Sequence, residues 1–176
     1  LPRVAELFEA RKPKDSAIIA ENDGVIEFGK EIRGKQKISI VSSKGDASNY
    51  LIPKGKHVNF NQGEKIKKGE YLLDGSPLPH DILRILGVER LTEFFVTEVQ
   101  EVYRLQGVVI NDKHIETIVR QMLKKVEIKE PGDSDFLLHE TVDLIDMVKL
   151  NDDLKKEGKK PAVYERILLG IKKASL

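Results

Sequence analysis

The stretch Gly63-Glu64-Lys65-Ile66-Lys67-Lys68-Gly69-Glu70-Tyr71-Leu72-Leu73 decides how the first half of this chain is read. Two glycines bracket a single apolar residue, Ile66, and a short apolar strand follows. Glycine supplies the left-handed backbone conformations that tight turns need, so both glycines mark turns and the residues around them are short strands.

The surroundings agree with a β-rich half. Ile18-Ile19-Ala20 is followed by Asn22-Asp23-Gly24, which reads as a hairpin-type turn. Val25-Ile26-Glu27-Phe28 and Gly29 come next, and Lys37-Ile38-Ser39-Ile40-Val41 alternates as a strand does. Ser42-Ser43-Lys44-Gly45-Asp46 is a loop. Tyr50-Leu51-Ile52 runs into Pro53, which suits an edge or a strand end, because proline has no N–H to give a central ladder. On the N-terminal side, residues 4–10 read as a short helix with Val4, Leu7 and Phe8 on one face, closed by the basic breaker Arg11-Lys12-Pro13-Lys14.

Beyond Asp74-Gly75-Ser76-Pro77-Leu78-Pro79 the period becomes helical. Residues 81–86 form a short helix stopped by Gly87. Leu91, Phe95, Val99 and Val102 then make one apolar stripe, ended by Gly107. Asn111 or Asp112 caps the next helix, whose apolar face is Ile115, Ile118, Val119 and Met122, with Lys124 and Lys125 at its C-terminal end. Residues 126–128 are a strand candidate and residues 131–134 a turn. Residues 142–156 read as a helix whose apolar residues are Leu144, Ile145 and Val148, with Leu154 beyond. Gly158 and Pro161 break it, and residues 164–173 form a last helical or mixed segment.

The chain has 176 residues, 40% apolar and 34% charged, with a formal net charge of +1 and no cysteine. Disulfides, thiolate nucleophiles and Cys-based zinc sites are excluded. No apolar run approaches the roughly 20 residues of a membrane span. The near-zero charge hides segregation: residues 30–68 hold ten Lys and Arg against three acids, and residues 130–157 hold nine acids against three Lys. The chain begins at Leu1 without Met and stops in an apolar-basic segment, so it is expected to be part of a longer polypeptide.

Catalytic patterns are poorly represented. His57, His80, His114 and His139 fall into no zinc spacing. Asp133-Ser134-Asp135 lacks the further oxygen ligands of a Ca²⁺ loop and reads as a solvated turn, and Asp152-Asp153 as a solvated helix face. The serines lack a Gly-x-Ser-x-Gly setting, and there is no phosphate loop. The basic residues Arg3, Arg11, Lys12 and Lys14, with Lys172 and Lys173 at the other end, are candidates to neutralise phosphates if the two ends meet.

Two resemblances carry further. The wording of residues 63–73 resembles barrel-sandwich-hybrid folds, including lipoyl and biotinyl carrier domains. Such carriers present the modified lysine at a hairpin tip beside Asp or Met, whereas Lys67 and Lys68 have Ile66 and Gly69 as neighbours. More specifically, Leu1-Pro2-Arg3 through Lys14, Pro79-His80-Asp81-Ile82-Leu83 and the run Val99 through Gly107 resemble, in order, the C-terminal part of the bacterial DNA-directed RNA polymerase β′ (largest) subunit. Ile110-Asn111-Asp112-Lys113-His114-Ile115-Glu116, Ile118 through Leu123, Ser134-Asp135-Phe136-Leu137 and Leu168-Leu169-Gly170-Ile171 continue that order. Residues 17–78 depart most from the family's wording, and Gly170-Ile171-Lys172-Lys173 stands where the family often has Gly-Ile-Thr-Lys.

The resemblance implies a piece that follows the trigger loop, in the downstream jaw and cleft or clamp region. It implies a part in transcription by a nucleotidyltransferase, with partners in the β, α and ω subunits, a sigma factor, the rest of β′ and downstream double-stranded DNA. The implied location is the cytoplasm, with no membrane association. The family's Mg²⁺-binding Asp triad and zinc-binding Cys clusters lie elsewhere, so no catalytic or metal residue carries over, and the chain alone is expected to be inactive. The expected fold class is α+β, a β-rich barrel-sandwich-hybrid-like module plus a helical portion. Residues 1–16 are read as an N-terminal helix and basic linker, 17–78 as the β-rich jaw module, and 79–176 as the mainly helical cleft or clamp portion. The alternative is a free-standing barrel-sandwich carrier or protein-interaction module.

Overall fold

The computed structural model describes residues 2–12 and 16–175. The fold is α+β, and the chain divides into two compact units, residues 12–86 and residues 1–11 with 87–176.

The first unit holds β1 (Ile18–Ile19), β2 (Gly24–Ile32), β3 (Lys35–Val41), β4 (Ala47–Ile52), β5 (Lys65–Ile66), β6 (Tyr71–Leu73) and helix α2 (Pro79–Leu86). Its strands form a four-stranded antiparallel sheet, β4-β3-β2-β5, and a two-stranded one, β1-β6. Both contribute to one core of Ala20, Ile26, Ile38, Ile40, Ile52, Ile66, Leu72 and Leu73. In β3 the buried Ile38 and Ile40 alternate with the half-exposed Lys37 and Ser39, as the two-residue side-chain period of a strand requires. β4 is an edge strand that ends at Ile52, immediately before Pro53.

The bracketing glycines are a repeated device. Asn61-Gln62-Gly63-Glu64 and Lys67-Lys68-Gly69-Glu70 are successive β-turns, closed by Glu64 N–H to the Asn61 carbonyl (3.1 Å) and Glu70 N–H to the Lys67 carbonyl (3.0 Å). The glycine stands third in each turn, at φ 85° and 91°, as a type II turn needs. The glutamate carboxylates reach back to accept from the Asn61 and Lys67 amides at 2.9 and 2.8 Å. The β2–β3 hairpin turns on Arg33 and Gly34, both with positive φ and flanked by the Ile32–Lys35 pair, a two-residue turn of the kind hairpins favour.

The expected turn at Asn22-Asp23-Gly24 does not close a hairpin. β1 pairs with β6, far along the chain (Ile18 with Leu73, Ile19 with Tyr71), while β2 pairs with β3 and β5. The Asp23 carboxylate instead accepts from the Lys68 amide at 2.6 Å, and the Asn22 side-chain oxygen accepts from the Ser48 hydroxyl at 2.7 Å. Strand β2 also continues through Gly29 to Ile32.

The second unit holds α1 (Pro2–Phe8), α3 (Val88–Leu105), α4 (Asp112–Met122), β7 (Lys125–Glu130), β8 (Thr141–Asp143), α5 (Leu144–Lys156), β9 (Val163–Arg166) and α6 (Ile171–Ser175). Helices α1, α3 and α4 pack on one another, and α6 packs on α4. The α3 stripe is buried at Leu91, Phe95 and Val99, with Val102 half-buried, and the α4 face is buried at Ile115, Val119 and Met122. Helix α3 ends in a Schellman motif, with Val108 N–H to the Tyr103 carbonyl at 2.9 Å and Gly107 N–H to the Arg104 carbonyl at 3.1 Å. The Asn111 side chain caps α4 by accepting from the Lys113 amide at 2.9 Å. The Gln100 amide holds the connection by donating to the Ile110 carbonyl (2.6 Å) and the Asp112 carboxylate (2.7 Å).

The sheet β8-β7-β9 is antiparallel and carries α5 over a core of Val126, Ile128, Met147 and Ala162. The apolar residues of α5 divide between its two faces, with Leu144 packed on that core. Ile145 and Val148 are 82% and 43% exposed, while Met147, Asn151 and Leu154 are buried. The helix starts at Leu144 directly out of β8, and on its buried side Asn151 accepts from the Ala162 amide (2.9 Å) and donates to the Ala162 carbonyl (3.0 Å). A buried amide is satisfied in this way by mimicking a strand partner. Two further expectations shift. Lys125 opens β7 and pairs with Asp143 rather than closing α4, and residues 164–173 divide between β9 and α6. Asp133 does more than face solvent, since its carboxylate accepts from the Lys160 amide at 2.7 Å. Among the described residues no helix is long and apolar enough to cross a membrane.

Candidate nucleic-acid interface

The N-terminal basic segment is shaped by the way α1 stops. Arg11 N–H donates to the Glu6 carbonyl and Ala10 N–H to the Leu7 carbonyl, both at 3.1 Å, with Ala10 at φ 53°. This is the same Schellman closure as on α3, with alanine where glycine is usual. It places Arg11 on the surface, where its guanidinium meets the Glu9 carboxylate at 2.5 Å. Phe8, just before the turn, stacks on the buried Phe95 of α3 with ring centroids 6.1 Å apart.

The other end of the chain arrives at the same place. Leu169 N–H donates to the Met122 carbonyl at 3.2 Å, and the Gly170 carbonyl accepts from Ala174 N–H at 3.0 Å, opening α6. Gly170 is buried against the backbone of Glu9, and a Cβ on it would lie 2.7 Å from the Glu9 carbonyl oxygen. The two ends therefore meet. On α6, Ala174 is buried and Lys172 and Lys173 are exposed.

The six basic residues singled out from sequence thus have different surroundings. Arg11, Lys172 and Lys173 are exposed and flank one backbone contact. Arg3 is held between Glu6 at 3.3 Å and Glu98 at 3.5 Å, pairs that link α1 to α3. Lys12 is exposed, and Lys14 lies outside the described residues. Lys30, Arg33 and Lys35, within the basic run of residues 30–68, are exposed around the β2–β3 turn. Sequence reasoning passed over Gly170 as anything but wording.

Several other polar groups hold the fold locally. The Lys67 and Lys68 side chains are exposed, and their amides are held by Glu70 and Asp23. Hydrogen bonds from His139 at 3.0 Å and Lys129 at 3.1 Å hold the Glu127 carboxyl below its ordinary range. Lys125 does the same for Asp143. Among the described residues no three His, Asp or Glu side chains converge as a metal would need.

Fold and surface define a class, an α+β module with exposed cations on either side of the Glu9–Gly170 contact. Residues 5–176 match the family described as RNA polymerase Rpb1, domain 5, and the chain belongs to that family. Over all 176 residues it is 58% identical to the DNA-directed RNA polymerase subunit beta′ of Syntrophobacter fumaroxidans and 58% identical to that of Nitrosococcus oceani. The chain spans 13% and 12% of the length of these two relatives.

Proposed function

We propose that the chain is part of the β′ subunit of a bacterial DNA-directed RNA polymerase, where it borders downstream duplex DNA and supports the active-site cleft. The observation that carries this reading is the similarity to β′ subunits along the whole of the chain. In this reading residues 17–78 are the jaw module, and the partners are the rest of β′, the β, α and ω subunits, a sigma factor and the DNA. The nucleotidyl transfer and its Mg²⁺, together with the structural Zn²⁺, belong to other parts of the enzyme, which works in the cytoplasm. The local contribution is electrostatic. Exposed cations beside a duplex release condensed counterions, a sequence-independent attraction that falls steeply with salt.

The test is Arg11→Ala combined with Lys12→Ala in the assembled polymerase. The lifetime of open or elongation complexes should fall, and its dependence on log salt should flatten by about 1 to 2, near 0.9 for each phosphate left without its cation. RNA synthesis on a preassembled scaffold should persist. Complete loss of phosphodiester formation there would remove the peripheral role.

A further inference from the structure

We infer that Gly170 is a positioning residue that joins Arg11, Lys172 and Lys173 into one phosphate-binding unit, an inference that rests on the DNA-facing reading above. No positive φ is involved at this glycine, so space is the reason for it. An added Cβ would meet the Glu9 carbonyl oxygen at 2.7 Å and the Glu9 carbonyl carbon at 3.1 Å. Both neighbours are backbone, which cannot rotate away as a side chain does, so any larger residue must push the two chain ends apart.

The cations follow from that contact on both sides. Glu9 lies in the turn that closes α1, and Arg11 is held immediately after it by the bond to the Glu6 carbonyl. Gly170 supplies the carbonyl from which α6 begins, so its seat sets where Lys172 and Lys173 leave the surface. The approach to Gly170 is itself fixed: Leu168 is buried, and Leu169 is tied to the end of α4. On the other side, the Phe8–Phe95 stack and the Arg3–Glu98 pair fix α1. Two rigid supports thus converge on a contact that only glycine fits. The Glu9 carboxylate beside Arg11 is the competing anion, and a phosphate must displace or share it. Exposed ion pairs of this kind are weak enough to exchange.

The experiment uses assembled polymerase and a duplex DNA scaffold, reading elongation-complex lifetime against salt. Arg11→Ala/Lys172→Ala/Lys173→Ala should lower the log–log slope by up to about 3. Gly170→Ala, with all three cations retained, should lower it by at least about 1, and adding Gly170→Ala to the triple variant should change the slope no further. A purely structural glycine would reduce assembly yield and leave the slope of assembled enzyme alone. Should Gly170→Ala fail to assemble, Phe8→Leu, which loosens the same end of α1 without a backbone clash, replaces it and should also flatten the slope. A flattened slope in the triple variant with a wild-type slope in Gly170→Ala, or in its replacement, overturns the role of Gly170 alone. A wild-type slope in the triple variant overturns the DNA reading and this inference with it.

Discussion

The helical unit and the β-rich unit are held in opposite ways. In residues 87–122 the work is done by side-chain volume at regular spacing. Leu91, Phe95 and Val99 of α3 face inward in the same unit as Ile115, Val119 and Met122 of α4, and the two helices that pack together are neighbours in sequence. In residues 12–86 the strands are two to nine residues long, and each acquires meaning only from a partner, often a distant one. There the backbone's own room matters most. Gly24 starts β2 where a Cβ would meet the Val41 carbonyl oxygen at 2.5 Å and Ile40 Cγ2 at 2.8 Å. Removing atoms should therefore hurt the helices most, and adding them should hurt the sheets most.

The largest effect is expected from Phe95→Ala. It empties the centre of the α3 stripe and the stack with Phe8, and should cost about 3–5 kcal/mol in denaturant unfolding, with hydrogen exchange rising along α1, α3 and α4. A loss below about 1 kcal/mol would mean that the stripe does not organise this unit. Gly24→Ala tests the other side. Overpacking of this kind costs about 1–3 kcal/mol, and exchange should rise in β2, β3 and β5 while α3 amides keep their protection. Equal protection loss in both units would break the contrast.

The smallest effect is electrostatic. The Glu127 carboxyl is held below its ordinary value of 4.5, first by the His139 hydrogen bond and then by that of Lys129. A lowered folded-state pKa gives stability that is complete above the ordinary value and lost as pH falls through the folded one. The sheet β8-β7-β9 should thus lose protection below about pH 4.5 by less than about 1 kcal/mol, and Glu127→Gln should shrink that pH dependence to the part carried by the Asp143–Lys125 pair. An unchanged pH profile in Glu127→Gln would show that other carboxylates carry it.

These contrasts also explain which features were legible beforehand. The α3 and α4 faces, the glycine stop at Gly107 and the Asn111 cap are local chemistry, written within one or two helical turns. The two glycine turns at 63 and 69 were legible for the same reason. The hairpin expected at Asn22-Asp23-Gly24 failed because a turn motif says that the chain reverses but not which strand it will pair with. Which face of α5 turns inward was not legible, because Ile145 and Val148 compete in hydrophobicity with Met147, and the buried side carries a polar residue, Asn151, bonded to Ala162. The basic residues were all visible. Their inequality was not, since nothing in the spacing of Arg3 reveals Glu98 beside it.

By itself, the order of residues determined the α+β class, the helix faces, the tight turns and the membership in a polymerase family, because these rest on local backbone preferences and on wording. Only the tertiary structure decided that β1 belongs with β6, that Arg3 links α1 to α3, and that the two ends of the chain meet at Gly170. The physical reason is the same in each case. These pairings join residues far apart in the chain, and their energies depend on geometry that exists only once both partners have been placed.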